Sequence, residues 1–115
     1  MKQPANDFLP LAPAVLHILL ALAGEQLHGY GIMQEVTRQS EGLYKLGPGT
    51  LYDNLQRLVK QGIVELAGEE PGDTRRRYYR LTSLGRRVVS AEILRLEEVI
   101  RQARLHIPAP QPGRS

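Results

Sequence analysis

Apolar residues along this chain keep a helical spacing as far as Gly62, lose it over residues 63–82, and then resume it. That switch of period is the strongest constraint on the fold. A period of 3.6 buries one stripe of a helix, whereas a period of 2 buries one face of a strand. Before the switch, Leu11, Val15, Ile18 and Leu22 mark a first helix, with Leu16, Leu19 and Leu20 filling in between. Pro13 suits its first turn and Gly24 its end. A second periodic segment opens after His28-Gly29, runs through Ile32, Met33 and Val36, and stops near Gln39, before Gly42. The third has the clearest limits: Pro48 fits a first-turn position and Gly62 a C-cap, with Leu51, Leu55, Leu58 and Val59 forming the apolar stripe between. After the switch, residues 63–67 read as a strand, residues 68–73 as turn chemistry, and residues 77–82 as a returning strand. Thr82 or Ser83 can cap a final helix running from about Leu84 to His106. The expected fold class is mainly α with one small β-hairpin.

Composition narrows the function classes. With 115 residues, one domain with a single modest core is expected. The absence of cysteine removes disulfides, thiolate zinc sites and cysteine nucleophiles. The longest apolar run, Ala12 to Ala23, is interrupted by Pro13 and His17 and is too short to span a bilayer. Lys2 is followed by Pro4, Asn6 and Asp7, which does not read as a secretory signal, so a cytoplasmic protein with no membrane partner is expected. His17, His28 and His106 are scattered, without metal-ligand spacing, and the GYG and GPG glycines lack the context of a phosphate-binding loop. No catalytic residue, metal or cofactor is expected, and an enzyme is disfavoured.

The net charge of +3 is unevenly placed. Residues 1–72 hold five Lys+Arg and eight Asp+Glu, while residues 73–115 hold ten Arg and four acids. Arg75, Arg76, Arg77, Arg80, Arg86 and Arg87 fall in thirteen residues without an acid. Concentrated charge of this kind points to a polyanion, although a solvated arginine face is the plainer reading. The third helix adds a second signal. Thr50, Asn54, Arg57 and Gln61 repeat its apolar spacing but lie around the helix from it, and all can hydrogen-bond. An ordinary amphipathic helix with a polar outside shows the same pattern.

In the last helix Val89, Ile93, Leu96, Ile100, Ala103 and Ile107 are spaced 4-3-4-3-4, a heptad seam. Such a seam either folds back on its own domain or pairs with the same helix of another subunit. A small core offers little surface to cover it, which favours a homodimer. Residues 108–115, with three prolines and a glycine, are expected to be a disordered tail.

Three helices, a hairpin and a helix, with arginines on the hairpin, form the plan of a winged helix-turn-helix plus a C-terminal dimerisation helix. In that plan the third helix fits the major groove and the hairpin lies along the adjacent backbone. The motifs Leu16-His17-Ile18-Leu19-Leu20 and His28-Gly29-Tyr30-Gly31-Ile32-Met33 come first. They continue with Gly47-Pro48-Gly49-Thr50-Leu51-Tyr52-Asp53-Asn54-Leu55-Gln56-Arg57-Leu58 and end with the stretch from Arg75 to Gly85. In this order and separation they resemble the PadR-like transcriptional regulators over roughly residues 11–105, on the short branch with a single C-terminal helix. The resemblance implies recognition contacts from Thr50, Tyr52, Asn54 and Arg57, with Gly49 permitting close backbone approach. It implies phosphate contacts from Lys45 and Tyr30, packing or capping by His28, and wing contacts from Arg75, Arg76 and Arg77. Two departures stand out. Glu69, Glu70 and Asp73 make the wing tip acidic, and the lack of Trp excludes the indole-flanked drug pocket of some relatives.

Several residues have a structural alternative. Tyr79 and Leu81 alternate onto one strand face and read as core; Tyr52 could pack against the wing as easily as touch DNA. Arg86 and Arg87 oppose the dipole of the last helix. The combined expectation is a flexible arm over residues 1–10, a DNA-binding domain over 11–83, a dimerisation helix over 84–107 carrying Val89, Ile93, Leu96, Ile100 and Ala103, and the tail. The expected function is a homodimeric repressor on double-stranded DNA with a pseudo-palindromic operator, released by a small-molecule effector. The alternative is a winged-helix module used only for protein–protein contact.

Overall fold

The computed structural model describes residues 4–70 and 73–110, and of these the side chains of residues 69, 70 and 73–76 lie outside the described set. A short 3-10 helix, Ala5–Phe8, precedes α1 (Pro13–Leu22), β1 (Leu27–His28), α2 (Gly29–Gln39) and α3 (Pro48–Lys60). Then follow β2 (Val64–Glu70), β3 (Asp73–Leu81) and the long α4 (Ser83–Arg104). The three helices and the hairpin stand where the apolar periods place them. Both strands run further toward the turn than the alternation suggests.

The core is the meeting of three helical stripes with the base of the hairpin. Ile18, Leu19 and Leu22 of α1, Ile32 and Val36 of α2, and Leu51, Leu55 and Leu58 of α3 are buried together with Ile63, Val64, Leu81, Val88 and Val89. Val59, expected in the α3 stripe, turns instead toward the hairpin and stays partly exposed. Pro48 opens α3 in its first turn. At the other end Gly62, at φ +76°, lets its own N–H reach the Val59 carbonyl and the Ile63 N–H reach that of Leu58. That pair of bonds is a Schellman stop, and it sends the chain straight into β2. Helix α2 ends the same way, with Gly42 bonded to the Thr37 carbonyl, but two left-handed residues follow one another there, Glu41 at φ +53° and Gly42 at φ +79°.

The sheet has three antiparallel strands in the order β1-β3-β2. Leu27 pairs with Tyr79 and His28 with Tyr78 on one side of β3; Val64 pairs with Leu81 and Leu66 with Tyr79 on the other. A register shift between Leu66 and Gly68 marks a bulge, which Gly68 accommodates at φ +138°. The third strand was not expected: two residues carry no period, and only pairing with β3 makes them a strand.

At the hairpin exit the Thr82 hydroxyl accepts the Gly85 N–H at 3.0 Å, capping α4, and lies 3.1 Å from the Ile63 carbonyl oxygen. Helix and strand are so close that a Cβ on Gly85 would overlap that same oxygen. The first ten residues of α4 are thereby held on the core, with Val88, Val89 and Glu92 buried. From Ile93 onward the helix runs clear: Ile93, Leu94, Val99, Ile100, Leu105 and Ile107 are all exposed, and Leu96 is half-buried.

The N-terminal segment corrects the expectation of a flexible arm over residues 1–10. Residues 5–8 form the 3-10 turn, Phe8 and Leu9 pack on the core, and the Leu11 N–H donates to Glu92 Oε2 at 2.9 Å. Polar residues and prolines made this stretch read as loose, whereas a long-range partner orders it. Residues 1–3 lie outside the described set, as do residues 111–115 of the tail; residues 108–110 are exposed and have no regular structure.

Candidate nucleic-acid interface

Helix α3 carries exposed side chains on three sides near the basic hairpin, and these sides differ in what they present. At about 100° per residue, Gly49, Asp53, Gln56 and Lys60 fall opposite the buried line of Leu51, Leu55 and Leu58, and all four are exposed. The polar repeat of the sequence does not include this outward line; the angle from the centre of the apolar stripe does. The line of Thr50, Asn54, Arg57 and Gln61 sits on one flank. Asn54 is half-buried there, its amide donating to the Thr50 carbonyl at 2.8 Å and its oxygen 3.4 Å from Arg57 Nη1. With Phe8, Leu11 and Val15 these side chains line a cleft of about 180 Å³ between α3 and the N-terminal segment.

The other flank faces the hairpin. Tyr52, Gln56, Val59 and Lys60 of α3 meet Leu66, Arg77 and Tyr79 across a groove of about 450 Å³. Period-2 alternation in β3 puts Arg77, Tyr79 and Leu81 on the α3 side, so Leu81 reaches the core while Tyr79 is only half-buried. Burial pushes the Tyr79 hydroxyl above the ordinary phenol pKa, neighbouring Tyr52 adds to this, and Arg77 opposes it. Tyr52 is 47% exposed, and its hydroxyl lies so near the start of α2 that a Cβ on Gly29 would overlap it. Tyr52 thus both packs and remains accessible.

Arg80 points to the opposite face of β3, where it pairs with Glu65 at 2.7 Å. Arg80 is therefore engaged within the sheet, a partnership that charge counting along the sequence cannot show. Arg77, Arg86 and Arg87 are exposed, with Arg87 donating to the Ser83 hydroxyl at 3.1 Å. The side chains of Arg75 and Arg76 lie outside the described residues. Lys45 is exposed just ahead of α3, and Gly49 and Thr50 are exposed in its first turn. Tyr30 is 62% exposed at the start of α2. His28 caps that helix, its Nδ1 accepting the Gly31 N–H at 3.1 Å, and stacks edge-on against Tyr78.

The expected dimerisation seam needs one correction. Val89 belongs to the protomer's own core, because this part of α4 lies against α1 and β3. Ile93, Ile100 and Ala103 remain exposed, and Leu96 half so. Among the described residues no group of His, Asp and Glu is arranged to hold a metal ion, and no helix is long and apolar enough to cross a membrane.

This arrangement defines a winged helix-turn-helix regulator with one long C-terminal helix. The model of the PadR-like family of transcriptional regulators matches residues 16–91, and the chain belongs to that family. It is 36% identical over 87 residues to transcriptional regulator Rv3488 of Mycobacterium tuberculosis, covering 76% of this chain and 78% of that protein. A transcriptional regulator from Clostridium thermocellum superposes with a TM-score of 0.67 at 27% identity, over 80% of this chain and 90% of that one. Bacillus subtilis PadR, solved in complex with operator DNA, shares the fold with a TM-score of 0.66 at 20% identity, over 92% of this chain and 54% of that one. The family and these relatives are transcriptional regulators, not enzymes.

Proposed function

We propose that the chain is a homodimeric, sequence-specific DNA-binding repressor acting in the cytoplasm on a pseudo-palindromic operator. The observation that carries this reading is the exposed outward face of α3 beside the arginine-bearing strand β3. Gln56 and Lys60, with Thr50 and Arg57 on the adjacent flank, offer donors and acceptors to base edges, while Arg77 and Lys45 neutralise phosphates. The operator complex of B. subtilis PadR supports the same use of this fold. The bare apolar residues from Ile93 to Ile107 support pairing of two chains through α4. Two α3 helices would then enter major grooves about one turn (~34 Å) apart. A small molecule seated between α4 and α1, or between two subunits, would release DNA by favouring a different spacing of the two helices.

Binding to the DNA upstream of the chain's own gene, measured across a salt series, tests the reading. Affinity is expected to fall by on the order of a thousandfold between 50 and 200 mM salt. Arg77→Gln should flatten that slope by about one, whereas Gln56→Ala should leave the slope and lose about 1–3 kcal/mol on the cognate site only. A module used only for protein contact would give no specific complex and no steep salt dependence.

A further inference from the structure

One side chain on the outward line of α3 is at odds with a partner made of phosphates. Asp53 and Lys60 lie most nearly opposite the buried line of Leu51, Leu55 and Leu58, with Gln56 close beside them. All three are exposed, and among the described residues none of them has a hydrogen-bond or ion-pair partner. On the flank, by contrast, Asn54 is bonded within its own helix and holds Arg57 beside it. Asp53, Gln56, Arg57 and Lys60 line a surface hollow of about 260 Å³, so the carboxylate shares a recess with two cations and bonds to neither. A carboxylate offers acceptors only, and phosphates repel it. Its place at the front of α3 is favourable only against a base that supplies a donor.

We propose that Asp53 is a specificity-determining residue that selects a cytosine in each operator half-site. The inference rests on the DNA reading above and names a base that reading leaves open. In the major groove only cytosine, at N4, and adenine, at N6, present an amino donor; guanine and thymine present acceptors, which repel a carboxylate. Adenine also carries the N7 acceptor beside its amino group, which opposes the second carboxylate oxygen, whereas cytosine carries none there. Cytosine is therefore the base that Asp53 favours. Gln56, with a donor and an acceptor on one amide, suits adenine N6 and N7 instead. It follows Asp53 by three residues, about 4.5 Å along the helix axis, against ~3.4 Å per base-pair step. The cytosine and the adenine are thus expected one or two steps apart.

Selection from a randomised duplex library tests the assignment, using the full chain, Asp53→Ala and Asp53→Asn, with sequencing and then binding titrations. The wild type is expected to enrich a C·G pair within two steps of an A·T pair. Exchanging that C·G pair for T·A should weaken its binding about tenfold. Asp53→Ala should keep the rest of the motif and become indifferent at that pair, while its thermal melt stays native, as an exposed position allows. Asp53→Asn, whose amide both donates and accepts, should move the preference at that one pair from cytosine to adenine. A side chain with only a structural role would not produce that switch. A wild-type motif whose base preferences all survive Asp53→Ala would overturn the assignment and leave the DNA reading standing. So would a base other than cytosine at the pair that Asp53→Ala affects. No enriched sequence for the wild type would sink the DNA reading and the assignment with it.

Discussion

Replacing Glu92 by Gln isolates a carboxylate that ties the chain's beginning to its last helix. The side chain is 1% exposed, accepts the Leu11 N–H at 2.9 Å and forms a two-pronged pair with Arg95. The glutamine keeps the shape and removes the charge. A buried hydrogen bond to a charged group contributes about 1.5–3 kcal/mol, whereas the Arg95 side is open to water and adds little. The glutamine oxygen still accepts the Leu11 N–H, so the loss expected is the difference between a charged and a neutral hydrogen bond, about 1 kcal/mol, or roughly 4 °C in Tm for a domain of this size. The pairing with Arg95, and after it the Leu11 N–H, holds the Glu92 carboxyl below its usual pKa, against the effect of burial. Its contribution is thus fully present above the unfolded carboxylate pKa of about 4.3 and is lost as pH falls through the lower folded value. Melts of both proteins from pH 7 to pH 3 should show a constant gap above about pH 5 that narrows in acid. A variant melting within 2 °C of the wild type at pH 7, or a gap that does not narrow in acid, would refute the reasoning.

Four further outcomes are expected. Gly85→Ala places a methyl group against the Ile63 carbonyl oxygen, backbone that cannot swing aside, and should cost about 1–3 kcal/mol by urea titration. Glu41→Gly relieves a left-handed non-glycine residue at the end of α2 and should raise stability by about 1 kcal/mol in the same assay. Ile100→Glu should yield a folded monomer by sedimentation, while Val89→Ala should lower Tm without changing the oligomeric state. A dimer that survives Ile100→Glu would place the subunit contact elsewhere.

Where local chemistry decides, the sequence was informative. Pro48 and Gly62 delimit α3 because a proline start and a left-handed stop are properties of single residues. The hairpin was visible from its alternation, but the bulge at Gly68 let β2 continue into residues that had read as turn. What stayed hidden depends on distant partners. Leu27 and His28 become a strand only beside Tyr79 and Tyr78, and the N-terminal turn is ordered only because Glu92 awaits it. The site divides in the same way. Polar spacing found Thr50, Asn54 and Arg57, yet Asn54 is occupied within its own helix, while Gln56 and Lys60 face outward. The arginine cluster was legible as charge, but the Arg80–Glu65 pair across the sheet was not.

The tie between Leu11 and Glu92 also gives α4 a fulcrum. About twelve helical residues beyond it, as far as Arg104, at 1.5 Å each make an arm of roughly 18 Å, so a tilt of about 10° sweeps the free end through some 3 Å. On the short side of the same pivot, Phe8 and Leu11 line the cleft that Asn54 and Arg57 also line. A load on the far end of α4 would therefore act with leverage and, through the N-terminal turn, bear on the flank of α3.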